Sequence, residues 1–248
     1  MKNKKEFDII IVGGGLAGLT SAIHISKFKK RVLLIEKNEY PKHKVCGEYI
    51  SNEVLPYLNS LDINPINEGA KQITKVHIST TKSNLIKGEL PLGGFGMSRY
   101  FLDDLLVKKA HLNGVKILKD TVDSIHFKKD YFTIITKNSG VFQSKITIGA
   151  FGKRSSLDQK MKRKFIQKKS PYLAVKIHVK GVFPENLVAL HNFKGGYCGV
   201  SKVENNAINV CYITEYNSFK KHKNITDFQE KVVFKNKHLR KIFKESSP

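Results

Sequence analysis

Six residues near the start of the chain, Gly13-Gly14-Gly15-Leu16-Ala17-Gly18, restrict the fold more than any other feature. They follow a short apolar run, 7–12, and open a stretch with Leu16, Leu19, Ile23 and residues 25–28 at helical spacing. A second apolar run, 31–35, ends in Glu36. Short uninterrupted apolar runs read as buried parallel strands. The pattern is therefore a β-α-β unit of about 30 residues, as a right-handed crossover requires. Gly13 permits the tight strand-to-helix turn, and Gly15 lets backbone approach a pyrophosphate with no Cβ intervening. Gly18 lets the helix pack closely on the strand. The first helical amides, at Leu16 and Ala17, then face the phosphates. Glu36 lies 18 residues after Gly18, near the spacing of about 20 at which a carboxylate accepts both ribose hydroxyls of an adenosine. It would repel a 2′-phosphate, which disfavours NADP here. A glycine-rich turn without a ligand is the alternative, and the strand–loop–helix–strand–acid order argues against it.

Downstream, 37–48 is a polar loop with Pro41 and Gly47, and 52–61 has the length of a short helix. Runs at 72–80 and 85–90 predict strands, the second entering a glycine turn at 93–96. An amphipathic helix is predicted over 99–113, with Phe101, Leu102, Leu105, Leu106 and Ala110 on one side. A strand at 115–118 and a meander over 122–127, 131–136 and 141–150 follow. Beyond Lys169 the runs 172–180, 187–191, 196–203 and 207–214 alternate as half-buried antiparallel strands, with Leu173, Val175, Ile177 and Val179 on one face. The last 30 residues read as a basic amphipathic helix. The expected architecture is α/β. It comprises a Rossmann-type domain with a parallel sheet, residues 1–70 and 98–160, and a mixed or antiparallel β substrate domain, residues 71–97 and 161–248.

The 248 residues suffice to bury a sizeable core. No window approaches the roughly 18 apolar residues of a membrane span. Lys2, Lys4 and Lys5 before an apolar run superficially match a secretory leader, but Glu6 and Asp8 interrupt them and a glycine turn follows, so a cytoplasmic protein is expected. Cys46, Cys198 and Cys211 form neither a disulfide framework nor a Cys-x-x-Cys pair, and no metal is expected. The net charge is +23, densest where Lys160, Lys162, Arg163, Lys164, Lys168 and Lys169 cluster. Two readings stand: a lysine-rich composition spread over the surface, or contact with anionic lipid or nucleic acid. No nucleic-acid-binding module accompanies the charge. A small-molecule or lipid substrate is expected, with peripheral contact to an anionic membrane as the interaction the charge allows and no obligate protein partner.

Three further stretches carry a resemblance. They are Pro41-Lys42-His43-Lys44-Val45-Cys46-Gly47-Glu48-Tyr49-Ile50-Ser51, then Ser98-Arg99 with Phe101-Leu102-Asp103-Asp104-Leu105, and Gly149-Ala150-Phe151-Gly152-Lys153-Arg154-Ser155. Together they resemble the flavoprotein family of aromatic hydroxylases, flavin halogenases and geranylgeranyl reductases, over residues 7 to about 214. The resemblance implies FAD as cofactor, with Cys46 and Gly47 bordering the isoalloxazine and Lys44 near its phosphates. It also implies that Arg99 contacts the cofactor and that Gly152 belongs to the second cofactor fingerprint. A guanidinium forks well onto phosphate or flavin carbonyl oxygens. A helix-start salt bridge is the other reading of Arg99, and an ordinary buried thiol that of Cys46. Phe151 stands where the family has an aspartate linked to pyridine-nucleotide use, which leaves the mode of reduction open, with NAD(P)H as candidate electron donor. The chain has no tryptophan, so the halogenase Trp-x-Trp-x-Ile-Pro motif is absent. Nothing after Lys169 matches the family's third fingerprint, Gly-Asp followed by a proline and a helix. A short chain lacking that half of the flavin site is expected to bind FAD weakly.

In such a protein the flavin carries the redox step and the polypeptide positions it. The Cys46-Gly47-Glu48 loop favours the reductase branch, with reduction of a lipid or isoprenoid-like double bond. A flavin monooxygenase hydroxylating a small organic substrate and an inactive FAD-binding fragment are the alternatives. The strands beyond 172 are expected to floor a substrate pocket. Tyr172, Phe193, Tyr197 and Tyr212 either line it or pack as plain core. No catalytic residue is assigned, because His24, His43, His178 and His191 have no carboxylate at a telling spacing.

Overall fold

A computed structural model describes residues 5–153 and 155–247, and Lys2, Lys4 and Arg154 of the readings above lie outside them. The polypeptide forms two compact units, one from residues up to Lys42 with Tyr100–Lys169, the other from His43–Arg99 and the chain from Ser170 onward. In chain order, β1 (Lys5–Val12), α1 (Leu16–Ser26) and β2 (Val32–Glu36) begin the first unit. The second then takes β3 (Tyr49–Ser51), α2 (Leu55–Ser60), β4 (Lys71–Ser79) and β5 (Leu85–Gly96). Helix α3 (Arg99–Leu112) leads back to β6 (Lys116–Lys119), β7 (Val122–Lys128), β8 (Tyr131–Thr136), β9 (Val141–Gly149) and α4 (Ser156–Lys160). The second unit resumes with β10 (Tyr172–Val179), β11 (Leu187–Phe193), β12 (Gly196–Lys202), β13 (Ile208–Glu215), α5 (Tyr216–Phe219), α6 (Ile225–Lys231) and α7 (Lys237–Lys244).

The first unit is built on a six-stranded sheet in the order β6-β2-β1-β9-β8-β7. Strands β6, β2, β1 and β9 run parallel, and β8 and β7 add an antiparallel hairpin. Successive residues Ile10, Ile11, Leu33 and Leu34 are all fully buried. Both faces of the central strands are thus covered, which is why they read as continuous apolar runs and not as alternation.

The second unit carries a seven-stranded sheet in the order β10-β13-β12-β11-β4-β5-β3. It is mixed and not wholly antiparallel, because β11 pairs with β4 in parallel. One face packs on Phe228, Val233 and Leu239. Val175, Ile177 and Val179 of β10 serve that face, so Ala174, Lys176 and His178 alternate onto the other. The segment 43–70, expected with the cofactor domain, groups with this unit because Tyr49–Ser51 is hydrogen-bonded to the end of β5.

Two expected elements differ. The glycines at 93–96 do not form a turn but complete β5, with Gly94 opposite Ile73 and Gly96 opposite Lys71. A Cβ on Gly96 would collide with the Lys202 carbonyl and one on Gly94 with that of Ile50, so these glycines permit close backbone approach inside a sheet. The C-terminal stretch is not one helix either. Asn224 caps α6 and Asn236 caps α7 through their side-chain carbonyls. The Asn236 amide also donates to Ser79 Oγ at 2.8 Å and to the Thr80 and Asn192 carbonyls. A side chain with these duties starts a helix and cannot lie within one. Next to it His191 bonds Ser79 Oγ at 2.8 Å and stacks on His238. Burial drives the His191 pKa down to about 4, with His238 and His77 adding to the shift. Among the described residues, no helix is long and apolar enough to cross a membrane.

Candidate functional site

The ends of β1, β2 and β9 come together at the glycine loop, where Gly13 N donates to the Ile35 carbonyl and Ala150 N to that of Val12. Gly13 has φ +105°, and a Cβ there would collide with the Ala150 carbonyl, so only glycine suits the position. A Cβ on Gly18 would strike the Gly13 carbonyl, since α1 rests directly on the turn. Gly15 is different: nothing lies within 4 Å of where its Cβ would stand. It precedes α1 without a side-chain cap, and no acidic residue occupies the first turn. The amides of Leu16 and Ala17 therefore open onto free space, a seat that fits a pyrophosphate.

Glu36 closes this seat. Its carboxylate accepts from Gly14 N at 2.7 Å and Asn38 N at 2.9 Å, and a carboxylate has acceptor capacity left for ribose hydroxyls. The Tyr40 hydroxyl donates to the Gly14 carbonyl at 2.6 Å. A cavity of about 80 Å³ opens beside Gly13, Glu36, Asp120, Thr121, Phe151 and Ser155. Burial would raise the Asp120 carboxyl, but hydrogen bonds from Ser139, Thr121 and Asn138 outweigh it and hold the pKa at about 2. Phe151 covers Gly149 and packs on the core of this unit, so it brings no charge to the place where the family has an aspartate. Gly152 is exposed with φ +73° and open space around it.

The second unit holds the remaining residues singled out above. Lys44, Cys46 and Gly47 lie in the loop before β3. Asn209 fixes that loop from below, its amide donating to the Gly47 carbonyl at 2.8 Å and to that of Cys46 at 3.4 Å. Glu48 follows with φ +55° and is 1% exposed. Its Oε1 accepts from Arg99 N at 2.9 Å and Lys176 Nζ at 2.6 Å, and its Oε2 lies 2.6 Å from His178 Nε2. The backbone amide of Arg99 thus ties the start of α3 to this carboxylate. Burial acts to raise the Glu48 pKa, but the bonds from His178, Lys176 and Arg99 together hold it below the ordinary carboxylate value. The His43 ring meets His178 edge-on at 5.6 Å.

Beside this cluster the sheet face is apolar. A cavity of about 460 Å³ is lined by Val45, Cys46 and Gly47 of the loop and by Leu190, Gly199 and Cys211 of the sheet, among others. Burial pushes the Cys211 thiol up to about 11, and the nearby Cys46 adds to it, so Cys211 is a neutral thiol at physiological pH. Of the four aromatics, Tyr197 borders the cavity and Tyr172 is exposed. Phe193 and Tyr212 pack edge-on in the core at 6.0 Å, Tyr212 also bordering the cavity.

Glu48, Lys176, Asn209 and Cys211 escape a reading of spacing, and His178 does have a carboxylate partner, 130 positions away. One signal was present: Lys176 and His178 sit two apart on the face of β10 opposite Val175 and Ile177. Two basic side chains on a half-buried strand require a buried acid, and Glu48 is one of the two acids, with Glu39, in the loop 37–48.

The first unit's glycine loop between strand and helix and the second unit's apolar cavity define the class: an α/β protein with a parallel sheet of Rossmann type and a ligand-sized pocket in its β unit. A family model described as FAD binding domain matches residues 8–44. An uncharacterized protein of Methanosarcina barkeri is 30% identical over 161 residues, 61% of this chain and 39% of that protein. A digeranylgeranylglycerophospholipid reductase of Methanococcus aeolicus is 25% identical over 158 residues, again 61% of this chain and 39% of the relative. The match therefore spans well under half the length of these relatives. A geranylgeranyl bacteriochlorophyll reductase-like protein from Thermoplasma acidophilum superposes with a TM-score of 0.73 at 18% identity, over 92% of this chain and 60% of that one. The flavin-dependent brominase Bmp2 does so with a TM-score of 0.78 at 18% identity, over 98% and 65%. These last two likenesses show the fold. Taken with the matched FAD binding domain and the relatives, the chain is similar to FAD-dependent oxidoreductases.

Proposed function

We propose that this chain carries the cofactor and substrate sites of an FAD-dependent reductase acting on an isoprenoid or lipid double bond. The observation behind this reading is the 460 Å³ cavity, whose lining is mainly apolar and contains no charged side chain. An isolated alkene offers nothing to hydrogen-bond, so shape and apolar contact must hold it, and the volume lies in the range of about 300–1,000 Å³ usual for ligand pockets. The relative named as a digeranylgeranylglycerophospholipid reductase supports the same substrate class.

Once reduced by two electrons from an external donor, bound flavin would supply hydride to one alkene carbon and return to FAD, and a proton taken from solvent onto the other carbon would complete the addition. The polypeptide supplies placement. The Leu16 and Ala17 amides and Glu36 hold the adenosine diphosphate end. Glu48 and Asn209 fix the Cys46-Gly47 loop as one wall of the pocket. NAD(P)H is the proposed electron donor.

Purified protein should be yellow or become so with added FAD. Reduced anaerobically, it should convert a geranylgeranyl lipid to a product heavier by two hydrogens per double bond. A colourless protein that takes up no flavin would falsify the reading at its cofactor. Flavin-dependent NAD(P)H oxidation that releases peroxide and leaves the lipid unreduced would move it to the monooxygenase branch.

A further inference from the structure

We propose that the surface segment Lys160–Lys169 docks the protein on an anionic lipid bilayer. The segment leaves the end of α4 and passes through a short 3-10 turn, Lys164–Gln167. Six of its ten residues are basic, and no Asp or Glu occurs between Asp158 and Glu185. Two of the six are neutralised within the fold: Lys160 pairs with Asp123 at 2.7 Å and Arg163 with the buried Asp158 at 3.2 Å. Lys162, Lys164, Lys168 and Lys169 are exposed and have no carboxylate at ion-pair distance among the described residues. Met161 and Phe165 stand among them, 45% and 53% exposed.

A lysine-rich composition accounts for many lysines on a surface. It does not account for the missing acids, nor for two large apolar side chains left in water within the same ten residues. That combination suits the boundary of a bilayer. Ammonium groups meet anionic headgroups while the apolar side chains enter the acyl edge, and lysine stems reach across apolar surface with their charge still in water. Five of the six basic residues are lysine, which acts as a point charge and lacks the arginine fork that reads phosphates and bases. Phe165 could instead stack on an unpaired base, so single-stranded nucleic acid is the rival the experiment must separate. The net charge of +23 adds attraction to an anionic surface. None of this depends on the substrate of the cavity.

The test is sedimentation of the full chain with vesicles of phosphatidylcholine and phosphatidylglycerol, against phosphatidylcholine alone. The protein should pellet with the anionic vesicles, stay in solution with the neutral ones, and be released by salt. Replacing Lys162, Lys164 and Lys168 together by Gln should lower the partition coefficient about a hundredfold. Phe165→Ser should weaken binding without changing its salt dependence. These are surface changes, so circular dichroism and the thermal midpoint should match the parent, which separates lost docking from lost folding. Protein that ignores anionic vesicles, or a triple variant folded and binding as the parent does, overturns the proposal. So does segment-dependent binding to a single-stranded oligonucleotide in place of vesicles.

Discussion

Gly15 and Gly18 both belong to one glycine loop, yet the space around them separates a binding role from a packing role. Gly18→Ala places a methyl against the Gly13 carbonyl and should cost about 1–3 kcal/mol of stability, as overpacking does. Gly15→Ala meets no atom within 4 Å, so the fold should change by no more than about 1 kcal/mol. Its methyl instead enters the space proposed for the pyrophosphate, and FAD affinity should fall at least about tenfold. Thermal melts and flavin titration of the two variants check this, and a Gly15→Ala protein that keeps full affinity would remove the loop from the cofactor site. Glu48 makes a different residue-level case. Its side chain is 0% exposed and that of Lys176 6%, so Glu48→Gln leaves a buried ammonium without its counter-charge and should cost about 3–5 kcal/mol. Adding Lys176→Met removes the orphan charge and should recover most of the loss; no recovery would mean that the pair is not the cause. The Glu48 carboxyl titrates below its ordinary value of 4.5 in the folded chain. The stability it contributes is therefore complete above that value and is lost as pH falls through the lower, folded one. Glu36 was legible because its partners lie in the same β-α-β unit. Glu48 was not, because Lys176 is 128 positions away.

At the scale of elements, period-2 alternation on β10 and β13 already separates a core face from a cavity face. Which face would carry a cavity depended on what packs against each, and that is not written in the strands. Gly199 shows the consequence. It lines the cavity from β12, and a Cβ there would stand an ordinary 3.8 Å from the Cys211 carbonyl and Leu190. Gly199→Ile should hold or raise stability, since a strand-interior glycine costs roughly 0.5–1 kcal/mol relative to alanine. Its side chain fills the pocket, so binding of an apolar fluorescent probe should drop while the thermal midpoint does not. Unchanged probe binding would show that the cavity is not where apolar ligands go. The strand β5 and the C-terminal helices depart from expectation for opposite reasons. Glycines at 93–96 have turn preferences in isolation but answer here to neighbouring backbone, Lys202 and Ile50, whereas Asn224 and Asn236 keep their local preference and cap α6 and α7, which a reading by charge and apolar spacing alone passes over.

For the whole molecule, charge and exposure set what other molecules meet first. The segment 160–169 is exposed almost throughout and gathers five lysines and an arginine in ten residues, while about half of the described lysines elsewhere lie in strands and helices whose backbone is already hydrogen-bonded. Cleavage needs a locally open backbone. Brief trypsin treatment should therefore cut first within 160–169, giving two fragments whose new ends mass spectrometry maps to these lysines. Early cuts confined to other elements would show that this stretch is held more tightly than its exposure implies. The sequence by itself determined the strand, glycine loop, helix, second strand and terminal acid of residues 7–36. The contacts between β1, α1 and β2 join residues close in the chain, and glycine geometry and apolar runs are local signals. Only the tertiary structure decided the rest: the Glu48 cluster with Lys176 and His178, the Asn209 support beneath Cys46 and Gly47, and the apolar cavity beside them. These depend on strand order and register in a mixed sheet, which brings together residues more than a hundred positions apart, and no local pattern encodes which distant strand becomes a neighbour.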